Sequence, residues 1–255
     1  MATAMNAERQ RIRLFAIADL HLPGGMDKPM DKFGDKWSNH FQRISADWQL
    51  RVGEADVVLI PGDISWAMQF EQAMPDLLSI AALPGRTLLL KGTHDYWWPA
   101  VTRLRSELPP EMDVIQHDAL DVGPAVVCGS RGWLQPGGTQ QLSAEDLRVY
   151  RRELIRLELS LGQAKAMAHG KPIVCMTHYP PLLPQRRDSD VSRLLEQYGV
   201  HTVVYGHLHG AAIQDGFSGM HGRVRYQLVS CDSLGFQLKE LLIDTEEHTE
   251  KPTAG

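Results

Sequence analysis

Short apolar runs alternate with amphipathic stretches along most of the chain. The runs are mostly rich in Val, Ile and Leu and show little alternation with polar residues, which is typical of strands covered on both faces. They predict strands at residues 11–18, 55–60, 86–90, 124–128, 173–176, 200–205, 226–229 and 240–243. Because helical stretches separate these runs, the pattern favours an α/β protein.

Helical periodicity is clearest between residues 143 and 168. Ser143 and Asp146 form a variant capping box, apolar residues recur at helical spacing, and Gly170 and Pro172 end the helix. Shorter helices are predicted at residues 41–52, 70–78, 99–108 and 189–198. Segments 23–40 and 132–139 have the composition of loops, and for both of them a lid or binding loop and a solvated connection are open.

The composition is that of an ordinary globular protein. The chain has 255 residues, of which 43% are hydrophobic and 22% are charged. We expect one domain over residues 11–245 and a flexible tail at 246–255. The formal charge is −5 and no basic block is present, so we expect no nucleic-acid partner.

The cysteines and the N-terminal segment bear on the cellular environment. Cys128, Cys175 and Cys231 lie far apart in apolar runs without a C-x-x-C pair, which predicts buried free thiols rather than disulfides or a thiolate zinc site. Residues 1–13 lack the apolar core of a signal peptide. No apolar run approaches the roughly 20 residues of a membrane span. We therefore expect a cytoplasmic protein without membrane association.

Five of the apolar runs are followed by carboxylate or imidazole side chains. Each such segment is common by itself, but binding sites in open α/β sheets form at the carboxyl ends of strands. Five of them in order therefore predict one shared site. The segments are Asp19-Leu20-His21, Gly62-Asp63, Gly92-Thr93-His94-Asp95, Thr177-His178-Tyr179 and Gly206-His207-Leu208-His209.

The spacing within two segments favours metal binding. Asp19 and His21 are two residues apart, as are His207 and His209. Residues two apart in an extended backbone point to the same side, so each pair can converge on one ion or on two adjacent ions. Imidazole and carboxylate ligands suit Mn, Fe, Zn or Ni rather than Ca.

The ordered motifs resemble the calcineurin-like metallophosphoesterase family, whose signature reads D-x-H, G-D, G-N-H-[DE], H and G-H-x-H. The resemblance runs from Asp19 to His209. Segments 91–98 and 176–181 also look like a bacterial subgroup of predicted phosphohydrolases. The resemblance implies a four-layer αββα fold, in which two mixed β-sheets are flanked by helices. It also implies two divalent or trivalent metal ions and hydrolysis of a phosphorylated small molecule by metal-activated water.

The resemblance further implies a role for each motif residue. His94 would lie beside the substrate phosphate and protonate the leaving oxygen, and Asp95 would orient His94 and favour its protonated form. The other residues would bind metal. The implied ligands are Asp19, His21 and His209 for the first ion, His178 and His207 for the second, and Asp63 for both.

One residue departs from the family pattern. Thr93 stands where the family has Asn, whose amide oxygen binds the second metal. Threonine offers only a neutral hydroxyl on a shorter, β-branched stem. Weak direct binding, binding through a water and a loose second site are all open. Natural variation and a deliberate change that slows the enzyme are open as well.

Outside the motifs, Arg131 and Trp133 follow the fourth predicted strand. They are candidates for a forked contact to a phosphate and for stacking on a ring, with a structural role as the alternative. For Trp97 and Trp98 we expect a packing role rather than contact with substrate. The resemblance thus implies a phosphatase or phosphodiesterase. Two alternatives stay open: a non-catalytic phosphate- or protein-binding module with an impaired second metal site, and a metal-dependent amidase or other hydrolase.

Overall fold

In the computed structural model, which describes residues 11–25 and 30–243, two β-sheets pack face to face between helices. The strands are β1 (Leu14–Ala16), β2 (Val57–Pro61), β3 (Arg86–Leu90), β4 (Met112–Ile115), β5 (Ala119–Asp121), β6 (Val126–Ser130), β7 (Ile173–Thr177), β8 (Thr202–Tyr205), β9 (Gly219–His221), β10 (Val224–Leu228) and β11 (Lys239–Leu241). The α-helices are α1 (His40–Arg51), α2 (Phe70–Ala81), α3 (Val101–Glu107), α4 (Ala144–Ala168) and α5 (Asp190–Gln197).

Both sheets are mixed, with parallel strands at their centres. The first sheet has the order β11-β1-β2-β3-β4, in which the edge strand β11 is antiparallel to its neighbour. The second has the order β5-β6-β7-β8-β10-β9, in which the edge strands β5 and β9 are antiparallel. The carboxyl ends of β1, β2 and β3 therefore meet at one edge, and those of β6, β7 and β8 meet at another.

The apolar residues of the strands form three packed layers. Along β1, Leu14 and Ala16 lie in the cluster between the sheets, whereas Phe15 lies in the cluster under helices α1 to α3. The third cluster joins the outer face of the second sheet to α4 and α5, as Val126 and Leu157 illustrate. Central strands are thus buried on both faces, which explains their continuous apolar runs. The αββα fold is confirmed.

Helix α4 begins and ends where its sequence indicates. The backbone N–H of Asp146 donates to the Ser143 hydroxyl at 3.0 Å, and the backbone N–H of Ser143 donates to the Asp146 carboxylate at 3.0 Å. This reciprocal capping stabilises the helix start by about 1 kcal/mol. At the other end, His169 and Gly170 adopt left-handed φ angles of 45° and 91°, which stop the helix.

Three strands escaped the sequence analysis, namely β4, β5 and β9. All three lie at sheet edges, where one side meets solvent and the apolar run is interrupted. Asp113 lies within β4, and β5 ends at Asp121. The strand expected at residues 11–18 shrinks to Leu14–Ala16, followed by an isolated bridge between Ala18 and Ser230.

The remaining expectations divide by region. The three cysteines are buried free thiols, as predicted. The segment expected as a loop at 23–40 contains two short 3-10 helices, Met30–Phe33 and Asp35–Trp37, in its described part. The tail expected at 246–255 lies outside the described residues. Among the described helices, none has the length and apolar character that crossing a membrane requires.

Candidate metal centre

The five polar segments converge at the carboxyl ends of parallel strands from both sheets. Strand β1 leads to Asp19, β2 to Asp63, β3 to the loop at 92–95, β7 to His178 and β8 to His207. The two sheets pack together, so their carboxyl ends place these loops side by side. The predicted shared site is therefore present as a geometric cluster.

A first group of side chains surrounds one position. Nε2 of His21 lies 3.3 Å from Nε2 of His209, and the latter nitrogen lies 3.5 Å from a carboxylate oxygen of Asp19. Asp19 and His21 are almost fully buried. The three ligand atoms lie close enough to one another to hold one ion.

A second group surrounds a neighbouring position. Nε2 of His178 lies 3.3 Å from Nδ1 of His207, which in turn lies 3.5 Å from the hydroxyl of Thr93. Asp19 also approaches Nδ1 of His178 at 3.9 Å. That nitrogen, however, lies 3.0 Å from the carbonyl of Pro61 and must donate its proton there. The lone pair of His178 therefore sits on Nε2 and faces His207.

Asp63 lies between the two groups. Its Oδ2 is 3.8 Å from Nε2 of His21, and its Oδ1 is 3.5 Å from Nε2 of His178. Each oxygen thus faces a different imidazole group. This is the arrangement that a bridging carboxylate requires.

The backbone at the cluster is held in left-handed conformations that residues other than glycine rarely adopt. Asp19, His21, Asp63 and His207 have φ angles of 63°, 45°, 54° and 72°. Such left-handed residues cost about 1–3 kcal/mol each and persist only when surrounding bonds fix them. One such bond is donated by the backbone N–H of His207 to the Asp19 carboxylate at 3.1 Å.

Two glycines make this close approach possible. A Cβ at position 92 would collide with the backbone nitrogen and carboxylate of Asp63, and a Cβ at position 206 would collide with the Asp19 carboxylate. The glycines of these motifs therefore allow the loops to touch.

Asp232, which the sequence analysis did not identify, orients His209. A carboxylate oxygen of Asp232 lies 2.9 Å from Nδ1 of His209, so that Nε2 faces the cluster. The same carboxylate pairs with Lys36 at 2.7 Å. Carboxylates that hold a ligating imidazole in this way fix its tautomer. Asp232 comes three residues after the predicted strand 226–229, so its place at a strand end was a signal, but it lies outside the five segments and was not singled out.

Asp95 is fully buried beneath the loops of the cluster. Its two oxygens accept five hydrogen bonds, from the backbone N–H groups of Asp63, Ile64, Ser65 and Gly92 and from the indole of Trp97, at 2.7–3.2 Å. A carboxylate offers about four lone-pair sites, so these donors fill it. Asp95 therefore holds the two loops together, and its predicted effect on His94 stays a prediction.

His94 lies at the open side of the cluster. Its backbone N–H donates to Oδ1 of Asp63 at 2.7 Å, and its Nε2 lies 4.0 Å from Oδ2 of the same carboxylate. The imidazole is 36% exposed, whereas Asp19 and His178 are fully buried. The ring packs against Trp66, whose centroid is 4.5 Å away. Trp66 also stacks on His21 at 4.8 Å and so supports both rings, a role that the sequence did not reveal.

The electrostatics of the cluster indicate a shortage of positive charge. Burial and the nearby Asp19 carboxylate raise the pKa of Asp63 to about 7. Burial also lowers the pKa of His21 to about 3, and burial together with His178 lowers that of His207 to about 4. Buried carboxylates facing neutral imidazoles form the donor set that a metal cation stabilises.

His209 differs from the other imidazoles. Burial disfavours its charged form, but its hydrogen bonds and charge interactions with Asp19 and Asp232 outweigh burial and raise its pKa to about 10. The proton on its Nε2 side must therefore leave before that nitrogen can bind a cation.

The distances also fit transition-metal ions. Two nitrogens bound to one zinc ion at about 2.0–2.1 Å in a tetrahedral site stand about 3.3 Å apart. Both imidazole pairs, His21 with His209 and His178 with His207, have a nitrogen separation of 3.3 Å. Each pair thus has the separation expected of two imidazole ligands of one ion.

The residues expected to bind substrate lie beside the second group. The guanidinium of Arg131 stacks over Trp133 at 4.6 Å, and the Trp133 ring lies 5.4 Å from Tyr179. Tyr179 in turn packs on His207 at 4.3 Å and shares a hydrogen bond with the Thr93 side chain. A mainly apolar cavity of about 330 Å³ adjoins Trp133, Tyr179 and His207. Contact of Arg131 and Trp133 with substrate stays a prediction.

Trp97 and Trp98 are buried, as a packing role requires. Their indole N–H groups donate to Asp95 at 3.1 Å and to Gln116 at 2.9 Å.

Comparisons with solved structures agree with the fold. No curated protein matches the chain. Among solved structures, a phosphopantetheinyl hydrolase from Mycobacterium tuberculosis has 16% identity and a TM-score of 0.55, with 91% of this chain and 96% of that chain covered. Protein TT1561 of Thermus thermophilus has 16% identity and a TM-score of 0.50, with 92% of this chain and 100% of that chain covered. At this identity the similarity shows the fold alone.

The similarity to a sequence family is more direct. The model of the calcineurin-like phosphoesterase family matches residues 12–211, a range that includes all five polar segments. With that match over most of its length, its two mixed sheets and its clustered aspartates and histidines, the chain belongs to the calcineurin-like phosphoesterase family.

Proposed function

We propose that the protein hydrolyses a phosphoester of a small molecule with a dinuclear metal centre. The family supplies the reaction class, namely metal-dependent phosphoester hydrolysis. The use of two ions by this chain rests on the geometry of its own residues.

The observation that carries the proposal is the position of Asp63. One of its oxygens lies 3.8 Å from Nε2 of His21 in the first group, and the other lies 3.5 Å from Nε2 of His178 in the second group. A single buried carboxylate between two ligand groups has little structural reason to exist without cations. Its pKa of about 7, raised by burial and by Asp19, reflects the cost of a buried charge for which His209 and the backbone N–H groups of Thr93 and His94 compensate only in part.

The proposal assigns the ligands by group. The first ion is held by Asp19, His21 and His209, the second by His178, His207 and weakly by Thr93, and both by Asp63. When bound, such ions neutralise phosphate oxygens and lower the pKa of a water molecule toward neutrality. The chain itself fixes the imidazole tautomers through Pro61 and Asp232.

His94 is the group placed to act on the substrate. Its ring is partly exposed beside Asp63, and its backbone bond to that carboxylate fixes its distance from the centre. A proton held on Nε2 can therefore pass to the leaving oxygen as the ester bond breaks. Stacking on Trp66 limits the rotation of the ring.

The test is hydrolysis of p-nitrophenyl phosphate and of bis(p-nitrophenyl) phosphate after chelator treatment and addition of Mn²⁺. We expect turnover that returns with metal and that falls by roughly 10²–10³-fold in His94→Ala. Metal content should stay at two ions in that variant. The matched control is His221→Ala, which removes an imidazole that pairs with Asp188 away from the cluster.

The outcomes separate the alternatives. Two bound ions without turnover of either ester would indicate the non-catalytic binding module. Turnover of an amide substrate alone would indicate the amidase. Equal losses in the His94 and His221 variants would remove the assigned role of His94.

A further inference from the structure

A second cavity, of about 310 Å³, lies beside the candidate metal centre. It opens where β3, β4 and β6 end against helix α4, and its walls include Lys91 and Arg131. A water molecule takes about 30 Å³ in the liquid, so the cavity holds a group much larger than one water.

The cavity is strongly cationic, although the chain as a whole has a formal charge of −5. Four of its lining residues carry positive charge and one, Glu153, carries negative charge. The cationic residues are Lys91, Arg131, Arg152 and Arg156. Cations gathered in a concave site repel one another unless an anion joins them, so the arrangement favours an anionic ligand.

The one carboxylate of the lining is already occupied. Glu153 is buried and accepts hydrogen bonds from the Ser130 hydroxyl at 2.8 Å and from the Arg156 guanidinium at 2.7 Å. Arg152 approaches it only to 3.9 Å. The half-buried Lys91 has no side-chain hydrogen bond and no ion pair with any residue of 11–25 or 30–243. Lys91, Arg131 and Arg152 therefore keep charge available for a ligand.

Neutral donors add to this charge. The Oε1 atom of Gln116 accepts the indole N–H of Trp98 at 2.9 Å, which leaves the NH₂ group of Gln116 as a donor at the cavity wall. Phosphate oxygens accept hydrogen bonds from Arg, Lys and amide donors together. Such a lining suits a phosphate better than an uncharged organic ring.

Two residues of the cavity lining adjoin residues of the candidate centre. Lys91 directly precedes the loop of Gly92 and His94. The backbone carbonyl of Arg131 accepts the N–H groups of His178 and Tyr179 at 3.0 Å each. A substrate whose reacting phosphate lies at the centre therefore has this cavity as its neighbour at the same edge of the sheets.

We propose that the cavity binds a second, non-reacting phosphate group, so that the substrate is a small molecule with two phosphate groups. This proposal rests on the proposed function for the identity of the reacting group. The cavity itself, however, is tested without any hydrolysis.

The first experiment measures the binding of inorganic pyrophosphate to the chelator-treated protein by calorimetry. Without cations the buried aspartates of the centre repel anions, so binding reports the cavity. We expect the double variant Lys91→Gln, Arg152→Gln to bind at least tenfold more weakly. The matched control is Arg148→Gln. It removes one charge from helix α4, which also carries Arg152, but at a position outside the cavity, where Arg148 pairs with Glu145.

Three results would overturn the cavity assignment: no binding by the unmodified protein, unchanged binding in the double variant, or an equal loss in the Arg148 control. Lys91 and Arg152 make no side-chain hydrogen bond in the described residues, so we expect the double variant to fold. The single variant Arg152→Gln, with an expected loss of about threefold, replaces it if the double variant unfolds.

The second experiment compares kcat/KM for adenosine 3′,5′-bisphosphate with that for adenosine 5′-monophosphate in the Mn²⁺-loaded enzyme. We expect the ratio to fall about tenfold in the double variant and to stay unchanged in Arg148→Gln. An unchanged ratio with weakened pyrophosphate binding would overturn the link to substrate. Pyrophosphate binding without turnover of any ester would instead contradict the proposed function and leave the anion site standing.

Discussion

The two halves of the candidate centre are built in different ways. In the first half, which is the group of Asp19, His21 and His209, the imidazole of His209 contacts the carboxylate of Asp232. That carboxylate in turn forms a salt bridge with Lys36. Around the same half, Trp37 packs 5.7 Å from His209 and Trp66 stacks on His21. Hydrogen bonds between charged groups and two indole rings therefore hold the imidazoles of His21 and His209 in place in the absence of an ion.

The second half is supported by neutral contacts. His178 is held by a hydrogen bond to the carbonyl of Pro61, and His207 packs against the ring of Tyr179. Its additional donor is the hydroxyl of Thr93, at 3.5 Å from His207. The replacement of the family's Asn thus falls in the half that has the weaker support. Under the proposed dinuclear centre, this difference predicts that the first ion binds more tightly and that the second ion limits activity.

Loss of Asp63, the proposed shared ligand, should weaken both halves of the centre and so remove the difference between them. In Asp63→Asn, both halves lose an anionic oxygen, so we expect both ions to bind weakly and turnover to fall by roughly three orders of magnitude. Metal content by elemental analysis and turnover of p-nitrophenyl phosphate give the measurement. Retention of two ions at micromolar free metal would show that Asp63 does not bridge.

Acidification is expected to weaken the first half more steeply than the second. The pKa of His209 is raised to about 10, despite burial, by Asp19 and Asp232, whereas that of His207 is lowered to about 4 by burial and His178. Below pH 10 a proton must leave His209 before the ion binds, so first-site affinity should rise by up to about tenfold per pH unit between about pH 6 and 9.

Calorimetric titration in buffers of different ionisation enthalpy measures the protons released for each ion. The first site should release about one proton more than the second at about pH 8. Equal release from both sites would contradict the raised pKa of His209.

The contribution of Asp232 to the first half can be tested separately. Asp232→Asn deletes the charge that orients His209 and pairs with Lys36, so first-site affinity should fall by about 10–100-fold while second-site affinity changes little. Competition with a chromophoric chelator resolves the two steps. Asp188→Asn is the matched control, because it breaks another Asp–His pair, with His221, outside the cluster. A parallel loss of both sites would mean that Asp232 supports the fold rather than one ion.

Strengthening the second half should have the smallest effect. Thr93→Asn restores an amide oxygen beside His207, and we expect the second ion to bind about tenfold more tightly and turnover at limiting metal to rise accordingly. Metal titration followed by ester hydrolysis checks this. Identical occupancy and rate in both proteins would show that position 93 does not reach the ion.

The sequence predicted the core elements well because their signals are local. The predicted helix 143–168 corresponds to Ala144–Ala168, and the predicted strand 86–90 coincides with Arg86–Leu90. Capping residues and continuous apolar runs lie within the elements that they define. Edge strands such as Gly219–His221 were missed, since their pairing partner rather than their own composition makes them strands.

The residues of the site could be predicted from the sequence, but the hydrogen bonds between them could not. Residues such as Asp19 and His207 follow strand ends, which the sequence displays. The role of Asp95 was not displayed, because its five hydrogen-bond donors come from two loops and an indole that only the fold assembles.

By itself, the sequence determined the order of strands and helices and the residue types that stand at the strand ends. Periodicity and short motifs carry that information within a few residues. Only the tertiary structure decided which nitrogen of each imidazole faces the centre, that Asp232 and Lys36 brace one half of it, and that a cationic cavity lies beside it. These features depend on contacts between residues such as Lys36 and Asp232, which are 196 positions apart and meet only when the chain is folded.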